Sequence, residues 1–255
     1  MRAKKKFGQH FLKDTSMAMR IVDALEGETF DRVLEIGPGK GVLTDILLPR
    51  YGSRFWAVEI DREAVEYLHD RFREPSLQLV SEDFLRWDLS ELGTGSFAVI
   101  GNFPYNISSQ ILFRVVENRD RIPVTVGMFQ KEVADRVRAE PGSKVYGILS
   151  VWIQAFYEVD EIMTVLPDAF HPPPKVKSAV IRLRRLETPR IQSDPDWFLK
   201  VVKTAFNQRR KTLRNALKTV ILHPSGEIPF LDQRAETLSV EAFDELAGVL
   251  RNQHP

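Results

Sequence analysis

The feature that most narrows the folds open to this chain is a five-residue loop between two different periodicities. Arg32-Val33-Leu34-Glu35-Ile36 is a short, largely apolar run, and Gly37-Pro38-Gly39-Lys40-Gly41 follows at once. Val42-Leu43-Thr44 then opens a helical pattern that stops before Tyr51-Gly52. Strand, glycine loop and helix in that order make a nucleotide-binding βα unit of a parallel sheet. The glycines let the backbone approach a ligand closely. A dinucleotide fingerprint needs glycine at the first, third and sixth positions, but the sixth position from Gly37 is Val42, so that pattern fails.

The alternation continues along the chain. Phe55–Asp61 reads as a second strand, and its Glu59 lies 22 residues after Gly37. Such folds place a carboxylate there to accept hydrogen bonds from ribose hydroxyls. Asp61 reads as a solvated cap of the helix Arg62–Phe72. Leu77–Val80 is a third strand. Asp83 behind it can accept from an adenine amino group while Phe84 flanks the ring; the plainer reading of Asp83 is a loop acid capping a turn. Phe97–Ile100 and Val124–Phe129 are buried strands on either side of a helix over Ser109–Asn118. Lys131–Ala139 is a charged helix, and Tyr146–Tyr157 a helix expected to pack on the sheet. Val159–Leu166 and Ser178–Leu186 complete a Rossmann-like, mainly parallel sheet of seven strands.

From Pro195 the pattern is helical: Asp196–Asn207, Arg209–Ile221, then pieces near Ala235–Leu238 and Val240–Leu250. The composition shifts near residue 187. Two domains are therefore expected, an α/β domain over 1–187 and a small all-helical domain over 188–255.

The chain has no cysteine. That excludes disulfides, thiolate zinc sites and the cysteine nucleophile that C5-methylation of cytosine needs. The five histidines are scattered without ligand spacing, so no metal is expected. No apolar run approaches the ~18 residues of a membrane span, and the basic start lacks a signal peptide's apolar core. A cytoplasmic protein without membrane contact is expected. The net charge of +1 conceals an asymmetry: residues 1–20 carry six Lys/Arg against one acid, and residues 171–222 carry thirteen against three. Basic ends around an acidic body point to a polyanion held by specific surfaces. The candidate phosphate contacts are Lys4, Lys5 and Lys6 at one end and Arg209, Arg210, Lys211 and Arg214 at the other. On a helix, Arg210 and Arg214 would share a face.

Asn102-Phe103-Pro104-Tyr105 follows the fourth strand. On its own the stretch reads equally as a plain turn. At the C-terminal edge of the sheet it also answers a chemical problem. The N6 lone pair of adenine is delocalised into the ring, so the amine is a poor nucleophile. Two acceptors receiving its hydrogens favour a tetrahedral nitrogen. The Asn102 side-chain oxygen and the Pro104 carbonyl can be those acceptors, and Tyr105 can stack on the base. Farther on, Phe170-His171-Pro172-Pro173-Pro174 starts a stiff, extended segment. Phe170 is either the second wall of a base sandwich or a buried core residue. The opening Phe7–Leu12 carries too many apolar side chains for a free tail, so it is expected to dock and cover the cofactor.

Taken together these motifs identify a resemblance. Glycines at the first, third and fifth loop positions, with an acid two residues before them, resemble the cofactor loop of S-adenosylmethionine methyltransferases. Nearly end to end, the chain resembles the small-subunit ribosomal RNA adenine N6,N6-dimethyltransferases of the KsgA type. The resemblance rests on Phe7–Leu12, Glu35–Gly41, Glu59–Asp61, Asp83, Asn102–Ser109, Phe170–Val180 and Phe206–Leu213. One departure is Phe103, where the family more often has leucine. The resemblance implies S-adenosylmethionine as donor, leaving S-adenosylhomocysteine, with Gln9, His10, Leu12, Glu35, Gly37, Gly39, Gly41, Glu59, Ile60, Asp83, Phe84 and Asn102 in the cofactor site. It implies catalysis by Asn102, Pro104, Tyr105 and Phe170 on two adjacent adenines near the 3′ end of 16S rRNA. The partner would be an assembling small subunit, met by a monomer, with residues 188–255 binding rRNA. The rivals are the related large-subunit enzyme of macrolide resistance and an assembly checkpoint factor that acts by binding.

Overall fold

The computed structural model describes residues 4, 9–73, 77–221 and 227–252. Lys5 and Lys6, expected to contact RNA, lie outside them. In chain order the segments that build the sheet and its helices are β1 (Phe11–Leu12), α1 (Thr15–Asp23), β2 (Arg32–Ile36), α2 (Thr44–Tyr51), β3 (Phe55–Val58), α3 (Arg62–Arg71), β4 (Gln78–Val80), β5 (Phe97–Asn102), α4 (Ser108–Glu117), β6 (Val124–Gln130) and α5 (Lys131–Arg138). Then come α6 (Ile148–Gln154), β7 (Tyr157–Val165), β8 (Phe170–His171), β9 (Ser178–Arg185), α7 (Pro195–Asn207), α8 (Leu213–Ala216) and α9 (Val240–Arg251).

The seven-stranded sheet has the order β4-β3-β2-β5-β6-β9-β7. Neighbours from β4 to β6 are parallel, while β9 runs antiparallel to β6. Strands covered by helices on both faces must be apolar on both faces. Accordingly Phe97, Ala98, Val99 and Ile100 of the central β5 are all fully buried. Chain order reverses between β2 and β5, so their C-terminal ends open the crevice that binds ligands in such sheets. The helices that follow are anchored by local caps. Asp14 accepts from the backbone N–H of Ser16 and Met17 at the start of α1, a cap contributing about 1 kcal/mol. Asp61 caps α3 in the same way.

The chain divides into two compact units. The first comprises Met1–Ala134 and Val159–Arg185, the second Asp135–Glu158 and Leu186–Pro255. The later boundary lies close to the composition shift at 187, but residues 135–158 were expected with the sheet and instead join the second unit. The reason is α6. Leu149, Val151, Trp152 and Ile153 are all buried, and its neighbour is α7. Just before it, Tyr146 donates from its hydroxyl to the Leu238 carbonyl at 2.9 Å.

A second difference lies at the basic motif. Arg209–Ile221 does not form one helix. Thr212 makes an antiparallel bridge with Arg234, and the N–H groups of Leu213 and Arg214 donate to the Gln233 and Leu231 carbonyls. Backbone pairing with 231–234 takes the place of the helical bonds, leaving only the four-residue α8. Arg210 sits in the preceding turn, so it shares no helix face with Arg214.

Candidate active site

The crevice predicted by the strand order holds a cavity of ≈ 210 Å³. Its wall comes from the ends of β2, β3 and β5, the loop after β4, and the segment 9–12. The β2 end supplies Glu35, buried to 2 % exposure inside an apolar strand. Thr44 at the start of α2 donates to it at 2.6 Å. Burial pushes the Glu35 carboxyl up to about 8, against the Thr44 bond and with help from the neighbouring charges of Glu59 and Asp45. Glu59, beyond β3, is also buried; it accepts from the Gly39 N–H at 3.2 Å and the Asp61 N–H at 2.9 Å. Burial raises its pKa, and these backbone bonds oppose the rise.

Gly37 and Gly39 line the cavity, but Gly41 does not. A Cβ on Gly41 would meet the Phe72 ring at 2.6 Å, so this glycine serves packing against α3 rather than the ligand expected there. Gly39 is constrained from above: its Cβ would meet the Phe11 ring at 2.9 Å. Asp61 caps α3 as expected but is buried rather than solvated, at 3 % exposure. Burial would raise its pKa; hydrogen bonds from Lys4 (2.6 Å) and Gln9 (3.2 Å) outweigh that and hold it low. Lys4 also pairs with Glu63 at 2.9 Å. Its ammonium is thus engaged by carboxylates, not offered to phosphate as expected.

Asp83 caps a turn at the cavity's edge. It lines the cavity, and its Oδ1 accepts from the Leu85 N–H at 2.9 Å. Phe84 is buried beside it, with the Arg114 guanidinium 5.1 Å from its ring centroid. Arg114 also donates to the Trp87 carbonyl, tying α4 to this loop.

The β5 end supplies the facing wall. Asn102, Pro104 and Tyr105 all line the cavity. The Asn102 amide nitrogen donates to the His10 carbonyl at 2.7 Å. The Pro104 carbonyl accepts a turn bond from Ile107 at 3.2 Å and keeps its second lone pair. The Tyr105 hydroxyl pairs with Ser178 Oγ at 2.7 Å, and burial raises its pKa. Its ring stacks on His10, 5.3 Å between centroids and 26° between planes. Phe103 turns away into the sheet, packing edge-on against Phe129 at 5.1 Å. It fits because Gly101 and Gly127 stand beneath it: a Cβ on Gly101 would meet the Phe103 ring at 2.7 Å, and one on Gly127 would collide with both rings.

Phe170 is not a wall of this cavity. In β8 it pairs with Leu12 of β1 and is 1 % exposed within the apolar core. The β1–β8 pairing draws it under the segment 9–12, which corrects the expectation of a base sandwich with Tyr105. Gln9, His10, Leu12 and Ile60 do line the cavity, as expected. Thr44, Ser178 and Arg114 were not anticipated. Only Thr44 had a visible signal, as a hydroxyl opening the helix after the glycine loop.

In the second unit Arg210 and Lys211 are exposed. Arg209 donates to the Ser143 carbonyl at 3.2 Å and lies 3.9 Å from Glu236, and Arg214 pairs with Asp232 at 3.0 Å. Among the described residues no helix is long and apolar enough to cross a membrane, and no group of three potential metal ligands occurs.

Residues 1–242 match the family model described as ribosomal RNA adenine dimethylase. A Parabacteroides distasonis protein named ribosomal RNA small subunit methyltransferase A is 51% identical over 248 residues, covering 96% of this chain and 93% of its own length. A Flavobacterium johnsoniae protein of the same name is 52% identical over 246 residues, covering 95% and 94%. The fold is similar to the crystal structure of a Plasmodium falciparum dimethyladenosine transferase, with TM-score 0.83, 24% identity and coverage of 96% and 98%. It is also similar to the 23S rRNA methyltransferase ErmE, with TM-score 0.72, 25% identity and coverage of 94% and 99%.

Proposed function

The chain belongs to the ribosomal RNA adenine dimethylase family, and from that premise we propose how its cavity carries out adenine N6-dimethylation with S-adenosylmethionine as donor. The observation that carries the reading is convergence. One cavity gathers two buried carboxylates, a carboxylate-aromatic pair and the Asn102–Tyr105 turn.

The donor set fits the cofactor. Glu59 suits two ribose hydroxyls, Asp83 an adenine amino group, Phe84 and Ile60 the ring faces, and Glu35 a cationic amino-acid end. S-adenosylmethionine, when bound, supplies an electrophilic methyl group on a sulfonium. The protein's part is positioning and charge placement. Asn102 Oδ1 and the Pro104 carbonyl accept the N6 hydrogens and orient the lone pair toward the methyl. Tyr105 holds the base by its face. No strong base is needed, because the alkylated amine is acidic and yields its proton to water. After the first transfer N6 keeps one hydrogen, so one acceptor contact suffices for the second.

The substrate is two adjacent adenines in the 3′-terminal hairpin loop of 16S rRNA, within an assembling small subunit. A loop base costs less to extrude than a paired one. Arg210 and Lys211 of the second unit contact its phosphates. The enzyme acts as a monomer in the cytoplasm. The large-subunit alternative is disfavoured by identity: 51% to a small-subunit methyltransferase against 25% to the 23S enzyme. The test is methyl transfer from labelled S-adenosylmethionine to undermethylated small subunits and, in parallel, to large subunits. Label in small-subunit RNA is expected. Label confined to large-subunit RNA overturns the substrate assignment. Tight subunit binding without transfer points to a checkpoint factor instead.

A further inference from the structure

The acceptor role of Asn102 raises a question of polarity. A side-chain amide carries an oxygen at one tip and an NH2 group at the other. If the amide turned over, it would present donors to the N6 hydrogens and repel the base. The structure shows what opposes that. The Asn102 amide tip lies 2.7 Å from the His10 backbone carbonyl. A carbonyl only accepts, so the amide atom facing it is nitrogen, and Oδ1 becomes the group left for the substrate.

His10 itself is held by its side chain. Its ring stacks on Tyr105 at 5.3 Å. Its Nδ1 lies 2.8 Å from the Pro172 carbonyl; that partner too only accepts, so Nδ1 carries the hydrogen. The imidazole is therefore pinned between the catalytic turn and the segment after β8, and its own carbonyl is aimed at Asn102. We propose that His10 is a positioning residue for methyl transfer: its anchored ring fixes the carbonyl that sets the polarity of the Asn102 amide. This goes beyond the cofactor-covering role expected of the opening segment Phe7–Leu12, whose first two residues lie outside the described ones. It rests on the N6-transfer reading above.

The test compares wild type, His10→Ala and His10→Asn by single-turnover methyl transfer to small subunits, with S-adenosylhomocysteine affinity measured calorimetrically on the same preparations. His10→Ala should lower the transfer rate about 10-fold or more, as small displacements of reacting groups do, a loss clearly larger than any accompanying loss of affinity. His10→Asn, whose amide can still reach the Pro172 carbonyl, should recover at least half of the lost rate. Retained ligand affinity shows that the cavity is folded. An unchanged rate in His10→Ala overturns the proposal. So does a loss of affinity that matches the loss of rate, which would return His10 to cofactor binding alone. Absence of transfer by the wild type would instead sink the N6-transfer reading.

Discussion

The two sides of the cavity are built by different means. On the cofactor side, the two buried glutamates bond to residues close in sequence: Glu35 to Thr44, nine residues apart, and Glu59 to Gly39, twenty apart, with Gln9 to Asp61 the longer tie at 52. On the acceptor side they span the chain: Asn102 to His10 over 92 residues, Tyr105 to Ser178 over 73, and His10 to Pro172 over 162. The first side is one βα unit and its neighbour, shaped by local backbone geometry. The second exists only once β1 has paired with β8 and β9 with β6. Cofactor binding should therefore tolerate damage to the acceptor side, whereas catalysis should not.

The largest effect should come from Asn102→Ala. Removing one preorganised hydrogen-bonding group should lower kcat about 10²–10³-fold, with S-adenosylhomocysteine affinity within about twofold. Equal losses in both would move Asn102 to the cofactor side. Glu59→Ala should do the reverse. One hydrogen bond to a charged group contributes about 1.5–3 kcal/mol, so loss of even one ribose contact should lower cofactor affinity by at least about 10-fold in calorimetry, with saturated turnover less affected. If kcat fell while affinity held, the division between the sides would fail.

Packing under the catalytic turn gives a third handle. Gly127→Ala drives a methyl into the Phe103 and Phe129 rings and should cost about 1–3 kcal/mol of stability in urea titration. Adding Phe103→Leu should recover part of that loss, because one of the two colliding rings is gone while Phe129 remains. Simple additivity of the two substitutions would show that the contact is not shared.

Glu35 gives the cofactor side a pH signature. Its folded pKa, about 8, lies above its ordinary value of 4.5 because burial disfavours the charge. The folded state therefore binds the proton more tightly than the unfolded one. Stability of the ligand-free protein is greatest below about pH 4.5 as far as this group is concerned, and falls as pH rises through about 8. Denaturant titrations across that range should show the decline, and Glu35→Gln should flatten it. The smallest effect is expected from Tyr105→Phe, which keeps the stacking ring and loses only the Ser178 bond. Turnover should fall less than about tenfold, consistent with one neutral hydrogen bond.

The same division explains what the sequence reveals. The glycine loop, Glu59 and Asp83 were legible because each occupies a fixed place after a strand whose apolar pattern is unmistakable. Asn102–Tyr105 was legible for the same reason. Which of the two readings of Phe170 holds depends on the β1–β8 pairing, which no local pattern announces. The packing of Gly41 could not be read locally, because its tight neighbour, Phe72, lies at the end of the next helix. Arg209–Ile221 has a helical composition, but pairing with residues 231–234 overrides it. Residues 135–158 read as one more layer on the sheet because α6 is apolar nearly all round, burying residues 149–153, and such a helix does not declare its partner. Phe103 shows the converse: its departure from leucine was visible, but its accommodation by Gly101 and Gly127 required the strand register.

The most direct test of the central claim, that one cavity methylates the same amine twice, is nucleoside mass spectrometry of small-subunit rRNA after complete reaction with the wild-type enzyme. The account predicts N6,N6-dimethyladenosine at two adjacent positions near the 3′ end. Methyl groups on another base or on ribose would contradict it, as would N6-monomethyladenosine as the final product.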